Sequence, residues 1–169
     1  AYALDSTTSG DNNTAVGKVA LGANTTGSGN TAVGYASLDA SNTASNNTAV
    51  GLRALSANST GADNVAVGKS AALANTTGAN NVLVGSNAFE TSTTGSQNTA
   101  IGQGAMNAST TGDNNTGVGW QALLSNTTGA QNTTLGYRSG GNITEGDANT
   151  CVGFNAGNYG NELTTGSSN

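Results

Sequence analysis

The sequence predicts an all-β fold, a parallel β-solenoid in which each coil is one 17-residue repeat. Three observations predict it. A glycine and an asparagine recur every 17 residues. The repeat is too short to hold a strand, a crossover helix and a second strand. Only 34% of the residues are apolar, too few for a conventional globular core. Stacking solves this problem, because neighbouring repeats bury together what one repeat cannot bury alone.

The repeat is defined by two columns that are occupied in all nine coils. The glycines are Gly17, Gly34, Gly51, Gly68, Gly85, Gly102, Gly119, Gly136 and Gly153. The asparagines, four residues earlier, are Asn13, Asn30, Asn47, Asn64, Asn81, Asn98, Asn115, Asn132 and Asn149. A coil begins at its asparagine, and each column is named by its member in the first coil. Residues 1–169 therefore form one predicted solenoid domain.

One short strand per coil is expected between these two columns, where the first coil reads Thr14, Ala15 and Val16. Side chains alternate across a strand. We expect the larger Thr14 and Val16 columns to face the core and the small Ala15 column to face outward. A small outward column would let another chain approach closely.

The rest of the coil supplies a second wall and a polar turn. Ala20 and Leu21 begin the second wall, and Asn24-Thr25-Thr26-Gly27 typifies the turn. Gly and Asn in such a turn tolerate a positive φ. Near the end of the chain the turn arrives three residues late, which predicts an outward insertion near residues 158–166. Because the array stops in register, we expect it to be a segment of a longer fibre.

The Asn13 column is expected to be a structural ladder, because identical amides in register donate and accept hydrogen bonds along the axis. The apolar core of each coil is worth only a few kcal/mol, from about 1.5–3 kcal/mol per large aliphatic side chain. Ordering a residue costs roughly 1–2 kcal/mol of backbone entropy. Association with further copies is therefore expected.

Composition argues against several functions. A net charge of −5 provides no basic footprint for nucleic acid. The chain has no His and one cysteine, Cys151, so no zinc set, disulfide or cofactor is expected. Its carboxylates are scattered, and we do not expect an enzyme. No apolar run is long enough for membrane insertion by this segment.

The recurring acids Asp11, Asp63, Asp113 and Asp147 are candidate calcium ligands, but a role as solvated turn residues explains them better.

The Lys18 column is the most variable and holds the candidate ligand or lateral contacts Tyr35, Trp120, Tyr137 and Phe154. The last three occupy consecutive coils and should lie one above another. Such a ladder could bind a sugar ring or shield a subunit contact, and we favour the subunit contact.

Acceptor sequences for N-glycosylation also abound, since the repeat generates them in its Asn- and Thr-rich corners. The candidates are Asn12, Asn24, Asn46, Asn58, Asn75, Asn107, Asn114, Asn126, Asn132 and Asn142.

The stretch Asn-Thr-Ala-Val-Gly-Tyr-Ala-Ser-Leu at 30–38, with Asn-Asn-Thr-Ala-Val-Gly at 46–51, resembles two kinds of repeat. One is the head repeat of trimeric autotransporter adhesins of the YadA type. The other is the Asn-Thr-Ala-x-Gly array of phage tail-fibre and related surface proteins. The resemblance covers almost the whole chain and implies a left-handed β-roll, three chains side by side, acting as an extended attachment device. The coils here are about three residues longer than those of the adhesins.

The leading hypothesis is a structural or adhesive segment of an extracellular, cell-surface or virion-surface fibre. Its expected partners are further copies of the chain and a carbohydrate or protein receptor. An alternative is a self-assembling extracellular filament, glycosylated in a suitable host. An ice-binding solenoid is a third hypothesis. It needs outward threonines on one side of the strand, whereas the Thr14 column is expected to face inward.

Overall fold

The fold was analysed in a computed structural model that describes residues 2–158. One parallel sheet contains nine strands in chain order, each paired with the next. The strands are β1 (Thr14–Val16), β2 (Thr31–Val33), β3 (Thr48–Val50), β4 (Val65–Val67), β5 (Val82–Val84), β6 (Thr99–Ile101), β7 (Thr116–Val118), β8 (Thr133–Leu135) and β9 (Thr150–Val152). Across residues 2–158 no helix is present. The prediction of a parallel β-solenoid is confirmed.

Successive strands pair one repeat apart, so every column of the sequence becomes a column in space. Thr14 pairs with Thr31, Ala15 with Ala32, and Val16 with Val33. The same 17-residue register continues to the pairing of β8 with β9. Residues 159–166, where most of the predicted insertion falls, lie outside the described residues.

The predicted direction of the strand side chains is wrong. The Ala15 column faces the core: Ala32, Ala49, Ala66 and Ala100 are fully buried. The Val16 column faces outward, with Val16 itself 58% exposed. The Thr14 column lies on the same outward side, where its members are exposed or half-buried. The Ala15 column therefore cannot be a seam with another chain.

The narrow coil explains this reversal. The glycine that occupies the Ala15 column in the seventh coil is Gly117, and a Cβ added there would stand 3.0 Å from Cγ of Met106. Met106 belongs to the Leu21 column, one coil below. The wall that carries the Leu21 column fills the interior, and only a small residue fits opposite it. Where the strand does carry a large inward residue, Leu83, the Leu21 column is reduced to Ala72.

Volume is also balanced within the second wall. In four coils a leucine of the Leu21 column accompanies an asparagine or serine of the Asn24 column. In the fifth coil the larger Phe89 accompanies Ser92, and the Phe89 Cζ and Ser92 Oγ both stand 3.0 Å from a Cβ added at Gly95. In the eighth coil Gly140 accompanies Ile143, which is fully buried. In these two coils a larger residue in one column accompanies a smaller one in the other.

The corner after each strand requires glycine for two reasons. Gly85 has φ +141°, a conformation that side chains disfavour. A Cβ there would also stand 2.3 Å from the carbonyl oxygen of Gly102 in the next coil. Other corners place ordinary residues in the left-handed region, including Leu21 at φ 51° and Phe89 at φ 55°. This conformation costs about 1–2 kcal/mol per residue, and the side chains of Leu21 and Phe89 are fully buried in return.

Candidate interaction surface

The Asn13 column forms a continuous hydrogen-bonded ladder through the buried interior. The Oδ1 atom of Asn64 accepts hydrogen bonds from the backbone N–H of Asn81 at 3.1 Å and from its Nδ2 at 2.9 Å. Nδ2 of Asn81 also donates to the carbonyl of Gly95 at 2.9 Å. The pattern repeats along the array, and it satisfies backbone groups that neither strands nor water reach.

A second polar column, the Asn24 column, is buried beside the first and was missed in the sequence. Nδ2 of Asn75 donates to the carbonyl of Gly78 at 3.0 Å, the same carbonyl that accepts from Nδ2 of Asn64 at 2.9 Å. Asn24, Asn58 and Asn126 make the equivalent bond three residues along the chain. This column is interrupted, because serine replaces asparagine in several coils. Its alternation of residue types hid it from a search for invariant positions.

The outward side of the sheet, called the strand face, carries the Thr14 and Val16 columns. These two columns flank the inward-facing Ala15 column, one residue before it and one residue after it in each strand. Leu135 is 50% exposed and Val152 63% exposed. Apolar side chains of this size in a continuous row are unusual on a surface that meets only water.

The Lys18 column adjoins the strand face at the corner where each strand ends. Trp120 and Tyr137 stack with ring centroids 4.7 Å apart and planes at 15°. Tyr137 and Phe154 stack at 5.1 Å and 12°. The rings cover each other's faces, so no sugar ring fits between them, and all three side chains are exposed. Tyr35 is exposed but stands apart, between Lys18 and Leu52.

Ten of the eleven exposed large apolar side chains in residues 2–158 belong to the Thr14, Val16 and Lys18 columns. They are Val16, Tyr35, Leu52, Val82, Ile101, Trp120, Leu135, Tyr137, Val152 and Phe154. The Thr26 column, away from the strand face, contains one glutamate and otherwise exposed threonine or serine. One side of the solenoid is therefore apolar and another is polar.

The candidate glycosylation residues divide by burial. Asn24, Asn58, Asn75, Asn126 and Asn132 are fully buried, so the side chains of these five candidates are inaccessible in the folded chain. Asn12, Asn46, Asn114 and Asn142 are exposed, and Asn107 is half-buried. The Nδ2 of Asn107 donates to the Glu90 carboxylate at 3.0 Å.

The thiol of Cys151 lies in the Ala15 column and is buried. Burial raises its pKa, because the charged thiolate loses hydration. The neutral, unreactive thiol is therefore favoured.

The recurring acids lie in separate coils. Oδ1 of Asp113 accepts the backbone N–H of Ser96 at 2.7 Å, and Oδ1 of Asp147 accepts that of Ala130 at 2.7 Å. In the described part of the chain, no three His, Cys, Asp or Glu side chains come together as metal ligands. No pocket opens in this part. Nor do residues 2–158 include a helix that could cross a membrane.

No protein-family model, curated protein or solved structure matches the chain.

Proposed function

We propose that the chain is a structural and adhesive segment of an extracellular, cell-surface or virion-surface fibre, in which copies lie side by side. The apolar strand face carries this proposal. Eight steps of about 4.8 Å between nine strands make the face about 38 Å long, and three residues make it about 10 Å wide. This area, on the order of 400 Å² and shared by threonine and aliphatic side chains, matches the largest patch of a typical monomer, and such patches are often functional.

A second copy is the partner that fits this face best. Its columns have the same axial spacing, so each coil of one copy meets a coil of the other. The strand face alone is smaller than the roughly 800 Å² per partner of a stable interface. The columns that flank the strand face, including the stacked rings of Trp120, Tyr137 and Phe154, must then add to the buried interface area. The resemblance to trimeric adhesins makes three the expected number of copies, with receptor contact left to the outer sides.

The test places charge on the strand face and compares it with the same charge elsewhere. Val50→Lys with Val84→Lys modifies the Val16 column, and the control, Thr60→Lys with Thr94→Lys, modifies the polar Thr26 column in the same two coils. We expect the wild type and the control to sediment as an oligomer and the valine variant as single chains. A wild type that sediments as a monomer at micromolar concentration contradicts the proposal.

A second candidate, ice binding, is favoured by one observation. The Thr14 column, expected to face inward, faces outward beside the Val16 column and presents hydroxyl and methyl groups at regular intervals. A regular array of this kind can order water next to an ice surface. The two functions compete for one face, because a second copy would cover it. Thermal hysteresis by a monomeric chain, lost in the Val50→Lys and Val84→Lys variant, would favour ice binding.

A further inference from the structure

All four cationic side chains of the protein lie along one edge of the strand face. Lys18 and Lys69 belong to the Lys18 column, and Arg53 and Arg138 belong to the Val19 column that follows it. These two columns follow the corner glycine after each strand, and we call them the basic edge. Neither contains an acidic residue.

The recurring acids lie along the opposite edge. Asp11, Asp113 and Asp147 belong to the Ser28 column, and Asp63 belongs to the column after it. Both columns immediately precede the buried asparagine that leads into each strand, and we call them the acidic edge. All four aspartates are exposed, and no cation falls in either column.

The two edges do not neutralise each other within one chain. Within residues 2–158 none of the four cations forms an ion pair, and Nε of Arg138 is buried without a hydrogen-bond partner. The strand face separates the edges. Even Asp113 and Asp147, which each use Oδ1 to accept a backbone N–H, have a second carboxylate oxygen to offer.

Cations and acids also occur at matching heights along the axis. Each cation has an acid on the other edge in the same coil or in the adjacent one, within about 5 Å of axial rise. The matches are Lys18 with Asp11, Arg53 and Lys69 with Asp63, and Arg138 with Asp147. Asp113 is the exception, because the basic edge carries the neutral residues Gln103 and Gln121 in the coils at that height.

We propose that these edges are the side contacts between copies, with the basic edge of one copy against the acidic edge of the next, parallel and in register. This inference rests on the proposed function and adds the orientation of the copies. Rotation about the fibre axis brings opposite edges together at the same height. Antiparallel copies placed face to face would bring basic edge to basic edge, and like charges would repel.

The edge charges set orientation more than affinity. Exposed ion pairs each change an association constant by about fivefold or less, whereas like charges facing each other disfavour the wrong arrangement. The apolar strand face supplies the main attraction. The edges then select the parallel register.

A charge exchange within the third coil tests the contact. Arg53→Glu or Asp63→Arg alone places like charges between copies and should weaken association about tenfold, more strongly at low salt. Both substitutions in one chain should restore it. Thr60→Lys, in the polar Thr26 column of the same coil, changes the net charge outside the columns of both edges and should have no effect. Failure of the combined variant to recover, with the wild type still oligomeric, overturns this inference and leaves the proposed function standing.

Cross-linking tests the geometry. In a Cys151→Ala background, chains carrying Arg53→Cys and chains carrying Asp63→Cys should be joined by a short bismaleimide only when they are co-expressed. Arg53→Cys joined instead to Gln121→Cys would show antiparallel copies, since the third coil then meets the seventh. Association unaffected by charge reversal, together with loss of retention on a sulfated polysaccharide, would assign the basic edge to an anionic polymer and overturn the proposal.

Discussion

Removing one rung of the asparagine ladder should destabilise the solenoid by an amount that depends on its neighbours. In Asn81→Ala the carbonyl of Gly95 loses its side-chain donor, and the backbone N–H of Asn98 loses its acceptor at 2.9 Å. Each buried backbone group left unpaired costs about 1–3 kcal/mol. The expected loss in the free energy of unfolding is therefore about 2–6 kcal/mol.

The adjacent rung provides a matched comparison. In Asn64→Ala the carbonyl of Gly78 keeps its hydrogen bond from Nδ2 of Asn75. The backbone N–H of Asn81 is left unpaired, whereas Nδ2 of Asn81 loses one hydrogen bond and keeps the one to Gly95. The expected loss is about 1–3 kcal/mol, roughly half as large. The difference arises because the Asn24 column holds an asparagine in the fourth coil and Ser92 in the fifth.

Urea denaturation followed by circular dichroism and Trp120 fluorescence measures both losses, and amide hydrogen exchange at Asn98 localises the first. Divergence of the two optical signals would mark partial unfolding, which repeat arrays permit. Asn42→Ala, at an exposed position, is the control and should change stability by less than about 0.5 kcal/mol. If Asn81→Ala is as mild as the control, the ladder does not hold the coils together.

Three further predictions concern the corners, the core and the thiol. Gly85→Ala should destabilise strongly because its Cβ meets a carbonyl. Gly104→Asn, at a corner with φ +65° where a Cβ would contact only the flexible Gln121 side chain, at 3.4 Å, should cost less than about 1 kcal/mol. Thermal melts compare the two variants. Phe89→Leu should destabilise by leaving a cavity, and Ser92→Asn should destabilise by a clash with Phe89. The double variant should recover most of the lost stability, which a double-mutant cycle measured by urea denaturation would show. The raised thiol pKa of Cys151 means that the folded state favours the neutral thiol. This stability is present below the unfolded pKa and is lost as pH rises through the folded pKa, so Cys151→Ala should lose less stability than the wild type in alkaline titrations.

The sequence by itself determined the period, the number of strands and the parallel stacking. A residue that must be glycine in every coil, such as Gly85, leaves an invariant mark because both its φ and its contact with the next coil exclude a side chain. Asn81 leaves a similar mark because its amide completes backbone hydrogen bonds that no other side chain at that position completes. Such constraints are local and repeat unchanged, so the pattern alone reveals them.

Only the tertiary structure decided which side of the strand faces inward. Alternation fixes that Ala15 and Val16 point to opposite sides, but it allows both phases, and apolar size favoured the wrong one. The width of the coil made the choice, since Leu21 from the facing wall leaves room only for a small residue. That decision turned the valine and threonine columns into an exposed face, made this face the proposed contact with other copies, and removed the objection to ice binding. The left-handed conformation of Leu21 also has no sequence signal, because its cost is offset by burial that exists only in the stacked coils.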